Sequence, residues 1–290
     1  MHALRFSFAV CTIALAAIPG YSAAQSADTL AKVKSSGSIT MGVRDSSGAL
    51  SYTLGDGKYV GYHVEICQRI IANVEKAVGR KLEIKYLPVT SQNRIPLVQN
   101  GTVDIECGST TNNLTRQKDV AFGLTTYVTE VRMAVKANSG ITSIAQLNGR
   151  SVATTTGTTS VQTLRKHERA TGVDFKEVYG KDHADSFLLL DSGRADAFVM
   201  DDYILAGNIA KAKNPADFKI AGEVLSIEPI AIMFRKDDPA FKKAVDDSLK
   251  AMMKSGELTK ILGKYGLTPG EATKAAWASP NDKPMEEYKK

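Results

Sequence analysis

The chain has 290 residues, 43% of them hydrophobic and 23% charged, with a formal net charge of +6, three cysteines and a single tryptophan. That length supports one large or two medium domains with proper cores. The positive excess is scattered, and basic pairs such as Lys242-Lys243 stand beside Asp246 and Asp247, so they read as solvated helix faces and no basic stripe with interleaved aromatics points to nucleic acid.

In chain order, Met1 to Arg5 is short and carries one positive charge, Phe6 to Ile18 is apolar, and Pro19-Gly20 ends the run. Small residues at Ser22-Ala23-Ala24 then predict a signal peptide over 1–24, cut near Ala24/Gln25. The run is too short and wrongly flanked for a membrane span. Cleavage leaves a net charge of +5, since only Arg5 is lost.

Alternating strands and helices follow, which argues for parallel or mixed sheets with helices on both faces. Ile39 to Val43 reads as a strand. Tyr62 to Val78 reads as a helix, with Ile66, Ile70, Val74 and Val78 at helical spacing and Gly79 as its stop. Leu82 to Leu87 is a strand, Ser91 caps a helix running to about Asn100, and Val103 to Cys107 is the next strand. Strands are then expected at Val131–Lys136, Ser151–Thr155, Phe175–Tyr179, Ala195–Met200 and Phe218–Ala221, and helices at Thr159–Arg169, Ala184–Leu190 and Tyr203–Ala212. Pro239 to Tyr265 reads as helical throughout, ahead of a Pro/Asn/Lys-rich tail that carries Trp277.

A weak internal repeat sharpens this outline. Ser91…Leu97…Gly101…Asp104…Ser109 aligns with His183…Leu189…Gly193…Asp196…Asp201 at the same spacing. Each copy reads as helix, glycine, short acidic turn, strand, then a polar residue at the strand's C-terminal end. Ligands of open α/β sheets gather outside the carboxyl ends of strands. The repeat therefore predicts that Ser91, Ser109, His183 and Asp201 face one shared cleft. The bland alternative is that helix–Gly–x–x–Asp–strand is a common connection that recurs by chance.

Three arginines stand out among Ser, Thr and Gly. Arg44 follows a strand in GVRDSS, Arg94 lies in the first turn after Ser91, and Arg116 opens a helix capped by Asn112 or Asn113. A bound anion would relieve an arginine at a helix N-terminus, and the guanidinium fork pairs bidentately with carboxylate. Lone surface arginines more often pair with nearby acids. Ser109 and Thr111 alternate, so on extended backbone both hydroxyls point the same way, able to accept from an ammonium or donate to a carboxylate. In TTTGTTS, a helix start at Thr159 can hold a carboxylate through backbone N–H groups and the hydroxyl. The acid for an ammonium is Asp201, with Asp202 as its rival and the better candidate to start the next helix. His183 is either a donor to a second carboxylate or a bystander at a helix start. No nucleophile–base pair and no His/Cys metal spacing is present, and His63 and Glu65 form no recognisable acid/base pair.

The motifs GVRDSS, TSQNR, ECGSTTNN, GTTS, KDHADSF and MDD, in this order from about Ile39 to Lys236, resemble the periplasmic amino-acid-binding proteins of ABC importers, most closely the glutamate/aspartate-binding branch. The resemblance implies an α/β, two-lobe periplasmic-binding-protein fold of type II, each lobe a mixed sheet flanked by helices, joined by two crossing strands. The crossings are placed near Tyr127–Ala134 and Glu223–Ile232. Lobe 1 is then 25–130 plus 228–290, and lobe 2 is 131–227. It also implies that Arg116 and Thr159 hold the ligand α-carboxylate, that Ser109, Thr111 and Asp201 hold the α-ammonium, and that Arg44, Ser91, Arg94 and His183 hold a side-chain carboxylate. The implied activity is capture of L-glutamate or L-aspartate in the periplasm by a monomer, without cofactor or metal, and delivery to the membrane permease of an ABC importer. A dehydratase-like enzyme on the same fold is the alternative. In the family pattern the cysteine of the ECGS segment pairs with one in the RKDD strand, whose position here is Ile232. Cys67 and Cys107 remain after cleavage in an oxidising compartment, and the sequence leaves a bridge between them open.

Overall fold

The computed structural model describes residues 28–288, so the expected signal peptide and its cut lie outside the described residues. The chain runs α1 (Thr29–Ser36), β1 (Ser38–Val43), β2 (Ser46–Ser47), β3 (Ser51–Gly55), β4 (Lys58–Val60), α2 (Tyr62–Val78), β5 (Glu83–Pro88), α3 (Arg94–Gln99), β6 (Ile105–Glu106) and β7 (Val120–Lys136). It continues through β8 (Ser151–Thr155), α4 (Thr159–Thr171), β9 (Lys176–Gly180), α5 (His183–Asp191), β10 (Ala197–Asp201), α6 (Asp202–Ala210), β11 (Phe218–Arg235), α7 (Pro239–Ser255), α8 (Glu257–Lys264) and α9 (Glu271–Ala278).

One eight-stranded mixed sheet, ordered β5-β1-β6-β11-β7-β10-β8-β9, carries the molecule, beside a small antiparallel sheet of β2, β3 and β4. The long strands β7 and β11 run antiparallel down its middle, from Phe218 opposite Lys136 to Arg235 opposite Val120, with register shifts along the way. At one end β11 pairs β6 through Met233 and Phe234. At the other end β7 pairs β10 through Val131 to Val135. The strands expected at Val131–Lys136 and Phe218–Ala221 and the crossings placed near Tyr127–Ala134 and Glu223–Ile232 are therefore parts of two continuous strands, β7 and β11. The main apolar core also spans both ends, with Ile70 and Phe241 in the same cluster as Phe187 and Phe198, while Val131, Leu147, Val152 and Leu164 form a smaller one.

Local signals explain most boundaries. The buried Ile66, Ile70 and Val74 set one face of α2, and Gly79 ends it in the left-handed conformation at φ 70° with its N–H on Glu75 O. The helical stretch expected over Pro239–Tyr265 is two helices, because Gly256 adopts φ 73° between them. The tail is more ordered than its composition suggests. Helix α9 packs on β7, Trp277 Nε1 donates to Thr126 O at 3.1 Å, and Met285 N donates to Asn112 O at 2.8 Å.

Cys67 on α2 and Cys107 just after β6 form a disulfide, with Cα atoms 6.3 Å apart. The bridge thus ties a helix to the start of the ECGS segment, while Ile232 is a buried core residue. Among the described residues no helix is long and apolar enough to cross a membrane.

Candidate functional site

The repeat is real at the level of hydrogen bonds. Gly101 and Gly193 both adopt left-handed backbone, at φ 78° and 73°. Val103 N donates to Leu97 O and Ala195 N to Leu189 O, each at 2.9 Å. Asp104 accepts from Thr40 N on β1, and Asp196 accepts from Ser151 N on β8. Each acid thus pins the C-terminal part of its copy to a neighbouring strand, and the residue following lands at the same edge. Ser91, Ser109, His183 and Asp201 accordingly line one small cavity, with Arg94, Thr111, Thr158, Thr159, Met200 and Ile204 around it. About 10 Å³ of that cavity is open to the centre of a water molecule. Seven of the nine residues singled out in the sequence are in its lining; Arg44 and Arg116 are not, but they bond to its members Ser109 and Thr111.

Ser91 does not cap α3. The helix starts at Arg94, and Thr90 and Asn93 close the turn reciprocally: Asn93 Oδ1 accepts from Thr90 N at 2.7 Å and Thr90 Oγ1 accepts from Asn93 N at 3.2 Å. That leaves the Ser91 hydroxyl buried with no protein partner. Arg94 is 2% exposed, and its Nε and Nη1 likewise have no partner. Burial, aided by the nearby charge of Arg116, pulls the Arg94 pKa down to about 9. A buried cation without a counter-ion is costly, so this corner is built for an anion.

Arg44 is fully buried and held on three sides. Its Nη2 donates to Asp182 Oδ1 at 2.6 Å and approaches His183 Nε2 at 3.2 Å, and its Nη1 donates to Ser109 Oγ at 3.3 Å. Burial pushes the Asp182 carboxyl up, but the Arg44 charge and the hydrogen bonds of Ser46 and Arg44 outweigh it and hold the pKa at about 2. Burial and the Arg44 charge lower His183 to about 3. An arginine N–H can only donate, so His183 Nε2 accepts and the ring proton sits on Nδ1, toward Thr155 Oγ1 at 2.9 Å. Both ring nitrogens have protein partners in this geometry, and the ring holds Arg44 in place.

Arg116 opens a single 3-10 turn rather than an α-helix, with Thr115 at its N-cap, and Asn113 Oδ1 accepts from Arg116 N at 2.8 Å. Its guanidinium donates to Thr111 O at 2.8 Å and Gly157 O at 3.3 Å, joining two segments far apart in sequence. Gly157 needs its missing side chain: at φ 82°, an added Cβ would lie 2.8 Å from the Gln92 backbone. Asp201 ends β10 and is buried, and burial with the charges of Glu228 and Asp202 raises its pKa well above the carboxylate range. Asp202 begins α6 and accepts from Thr129 Oγ1 and from Tyr203 N.

Sequence reasoning missed three buried or half-buried acids. Asp182 and Glu106 stood inside motifs already singled out, next to His183 and before Cys107. Glu228 lies in the run IEPIAIMF, where a lone acid in an apolar strand is itself a signal of buried partners. Conversely, His63 is occupied with Gly108 O and Thr126 Oγ1, and Glu65 with Lys264, Tyr265 and Arg69, and neither is in the cavity lining.

Two α/β halves that share a pair of long strands, with a charged cavity at the strand ends, define a two-lobed solute-binding protein of type II. The sequence pattern of the bacterial extracellular solute-binding proteins, family 3, matches residues 39–268, and the chain belongs to that family. It is 41% identical over 96% of its length to the glutamate/aspartate import solute-binding protein of Escherichia coli K12, covering 98% of that protein. It is 42% identical over 89% of its length to the L-glutamate/L-aspartate-binding protein of Pseudomonas aeruginosa, covering 90% of it. In structure it is similar to the ancestral amino acid-binding protein AncCDT-1, a precursor of cyclohexadienyl dehydratase, with a TM-score of 0.71 and 27% identity over 82% of this chain and 99% of that one.

Proposed function

We propose that this protein captures L-glutamate or L-aspartate in the periplasm and delivers it, as a monomer, to the membrane permease of an ABC importer. The observation that carries the reading is Arg94, buried in the cavity wall with two guanidinium nitrogens unpartnered beside the equally unpartnered hydroxyl of Ser91. A side-chain carboxylate satisfies all of these at once, and an amide does not supply the charge. The names of the two relatives above support the same ligands, and one of them names import.

In this reading Arg44, Ser91 and Arg94 face the side-chain carboxylate, with His183 acting through Arg44. Arg116 and the backbone N–H groups at the α4 start, from Thr159, face the α-carboxylate, and Ser109, Thr111 and Asp201 face the α-ammonium. Lobe 1 is 25–130 plus 228–290 and lobe 2 is 131–227, and rotation about β7 and β11 brings the two walls together around ligand. Residues 1–24 direct export and are removed in the mature protein.

Calorimetric titration of wild type and Arg94→Ala with Glu, Asp, Gln and Asn tests the ligand. Binding of Glu and Asp that disappears in the variant supports it; equal binding of Gln by the wild type overturns it. The enzymatic alternative predicts consumption of a candidate carboxylate, which product analysis over the same titration reads directly.

A further inference from the structure

Glu228 gathers three hydroxyls deep in the molecule. It is fully buried on β11, and its Oε2 accepts from Thr111 Oγ1 at 2.6 Å and from Thr159 Oγ1 at 2.7 Å. Oε1 accepts from Ser226 Oγ at 2.9 Å. Thr111 follows β6 and Thr159 opens α4, so hydroxyls from the two ends of the sheet meet on one oxygen of a strand that both ends share. Both threonines line the cavity.

Counting protons gives the polarity of that wall. A hydroxyl has one proton and two lone pairs, and a carboxylate accepts only. With both protons directed to Glu228, Thr111 and Thr159 present only lone pairs to the cavity. Asp201 stands in the same lining and adds acceptor oxygens once an ammonium beside it has displaced its proton. A carboxylate placed against the two threonines would meet no hydroxyl donor, whereas an ammonium would meet two acceptors with the Glu228 charge behind them.

We infer that Glu228 is a specificity-determining positioning residue that orients the Thr111 and Thr159 hydroxyls so that this wall takes an ammonium group and disfavours ligands lacking one. The inference rests on the amino-acid-binding reading above and extends it to a residue outside the cavity lining.

The test compares L-glutamate with glutarate, the same dicarboxylate without the amine, by calorimetry on wild type, Glu228→Gln and Glu228→Met. Glu228→Gln keeps an oxygen that both threonines can reach but removes the charge; Glu228→Met removes both. The expected result is a glutamate-over-glutarate preference that falls about 10- to 100-fold in Glu228→Met, the range set by a charge-assisted hydrogen bond. The fall should be smaller in Glu228→Gln, with glutarate affinity unchanged or higher in both. An unchanged preference in both variants, or equal losses for the two ligands, overturns it, because a merely structural role would weaken both alike. Should Glu228→Met fail to fold, the preference in Glu228→Gln decides by the same criterion. If the wild type ignores glutamate and aspartate but melts higher with another amino acid, only the acidic-ligand reading fails, and the comparison is repeated with that amino acid and its des-amino analogue. If no amino acid raises the melting temperature, both fall.

Discussion

Arg44 Nη2 and His183 Nε2 meet at 3.2 Å inside the protein, a contact that only a neutral imidazole protonated on Nδ1 can make. The guanidinium is thereby held between an acid and a ring that cannot repel it, and the chain of bonds continues through Thr155 to Ser186. Imidazole ¹⁵N shifts of the folded protein should show His183 as the Nδ1–H tautomer, unchanged from pH 8 to pH 5, in line with its lowering to about 3. Titration of His183 near its ordinary value of about 6.5 would sink the assignment.

Arg94 should cost stability to gain function. Replacing it by Met removes a buried, unpaired cation at similar volume, so Arg94→Met is expected to stabilise the unliganded protein by about 1–3 kcal/mol. The same change should abolish measurable binding of glutamate. Chemical denaturation and calorimetry on the one variant read both, and a less stable Arg94→Met contradicts the account of the site.

Acid should weaken the fold before ordinary carboxylates titrate. His63 and His183 are lowered to about 4 and about 3, chiefly by burial, whereas in the unfolded chain they protonate near 6.5. Between those values the unfolded state binds more protons, so stability falls as pH drops, by up to about 1.4 kcal/mol per pH unit for each ring. Asp201, whose pKa is raised by burial and by Glu228, acts in the opposite direction over part of this range, because its proton stays bound in the folded state. Two histidines outweigh one acid, so the melting temperature is expected to decline from pH 7 to pH 5; a flat or rising profile there refutes the balance.

Ligand capture should release a proton. An ammonium beside Asp201 favours its ionised form and lowers the raised pKa. Below the unliganded value binding therefore expels a proton and tightens as pH rises. Calorimetry in two buffers of different ionisation enthalpy measures the proton count, and Asp201→Asn should bring it to zero.

The Cys67–Cys107 bridge spans 40 residues of sequence, which by loop-closure entropy stabilises the fold by about 4 kcal/mol. The double variant Cys67→Ser/Cys107→Ser should melt clearly lower yet still bind ligand when folded, since neither sulfur is in the cavity lining. Loss of binding by a folded double variant would show that the bridge also shapes the site.

Much of the site was legible because its residues end secondary-structure units that the sequence punctuates. Glycines at 101 and 193 and acids at 104 and 196 mark two equivalent turns, and that symmetry alone brings Ser109 and Asp201 to one place. What could not be read were long-range pairings. Nothing local joins Glu228 to Thr159 or Arg44 to Asp182, and the partner of Cys107 depended on where a helix face lies against a strand end. The ordered tail escaped notice because its Trp277 packs through one distant carbonyl, that of Thr126.

The pairing of β7 with β11 also sets an order of assembly. Everything from 137 to 217 lies inside a hairpin whose arms first touch at Lys136 and Phe218, and the arms cannot zip until β11 has been made. The enclosed segment, with Thr159, His183 and Asp201, can close on its own strands β8, β9 and β10 beforehand. Cys67 and Cys107 likewise both precede β11, so oxidation need not wait for it. Contacts this distant in sequence make for slow folding. The arginine-bearing wall, whose strand β6 is completed by β11, would then be the last part to become fixed, and competence to bind would mark the end of folding.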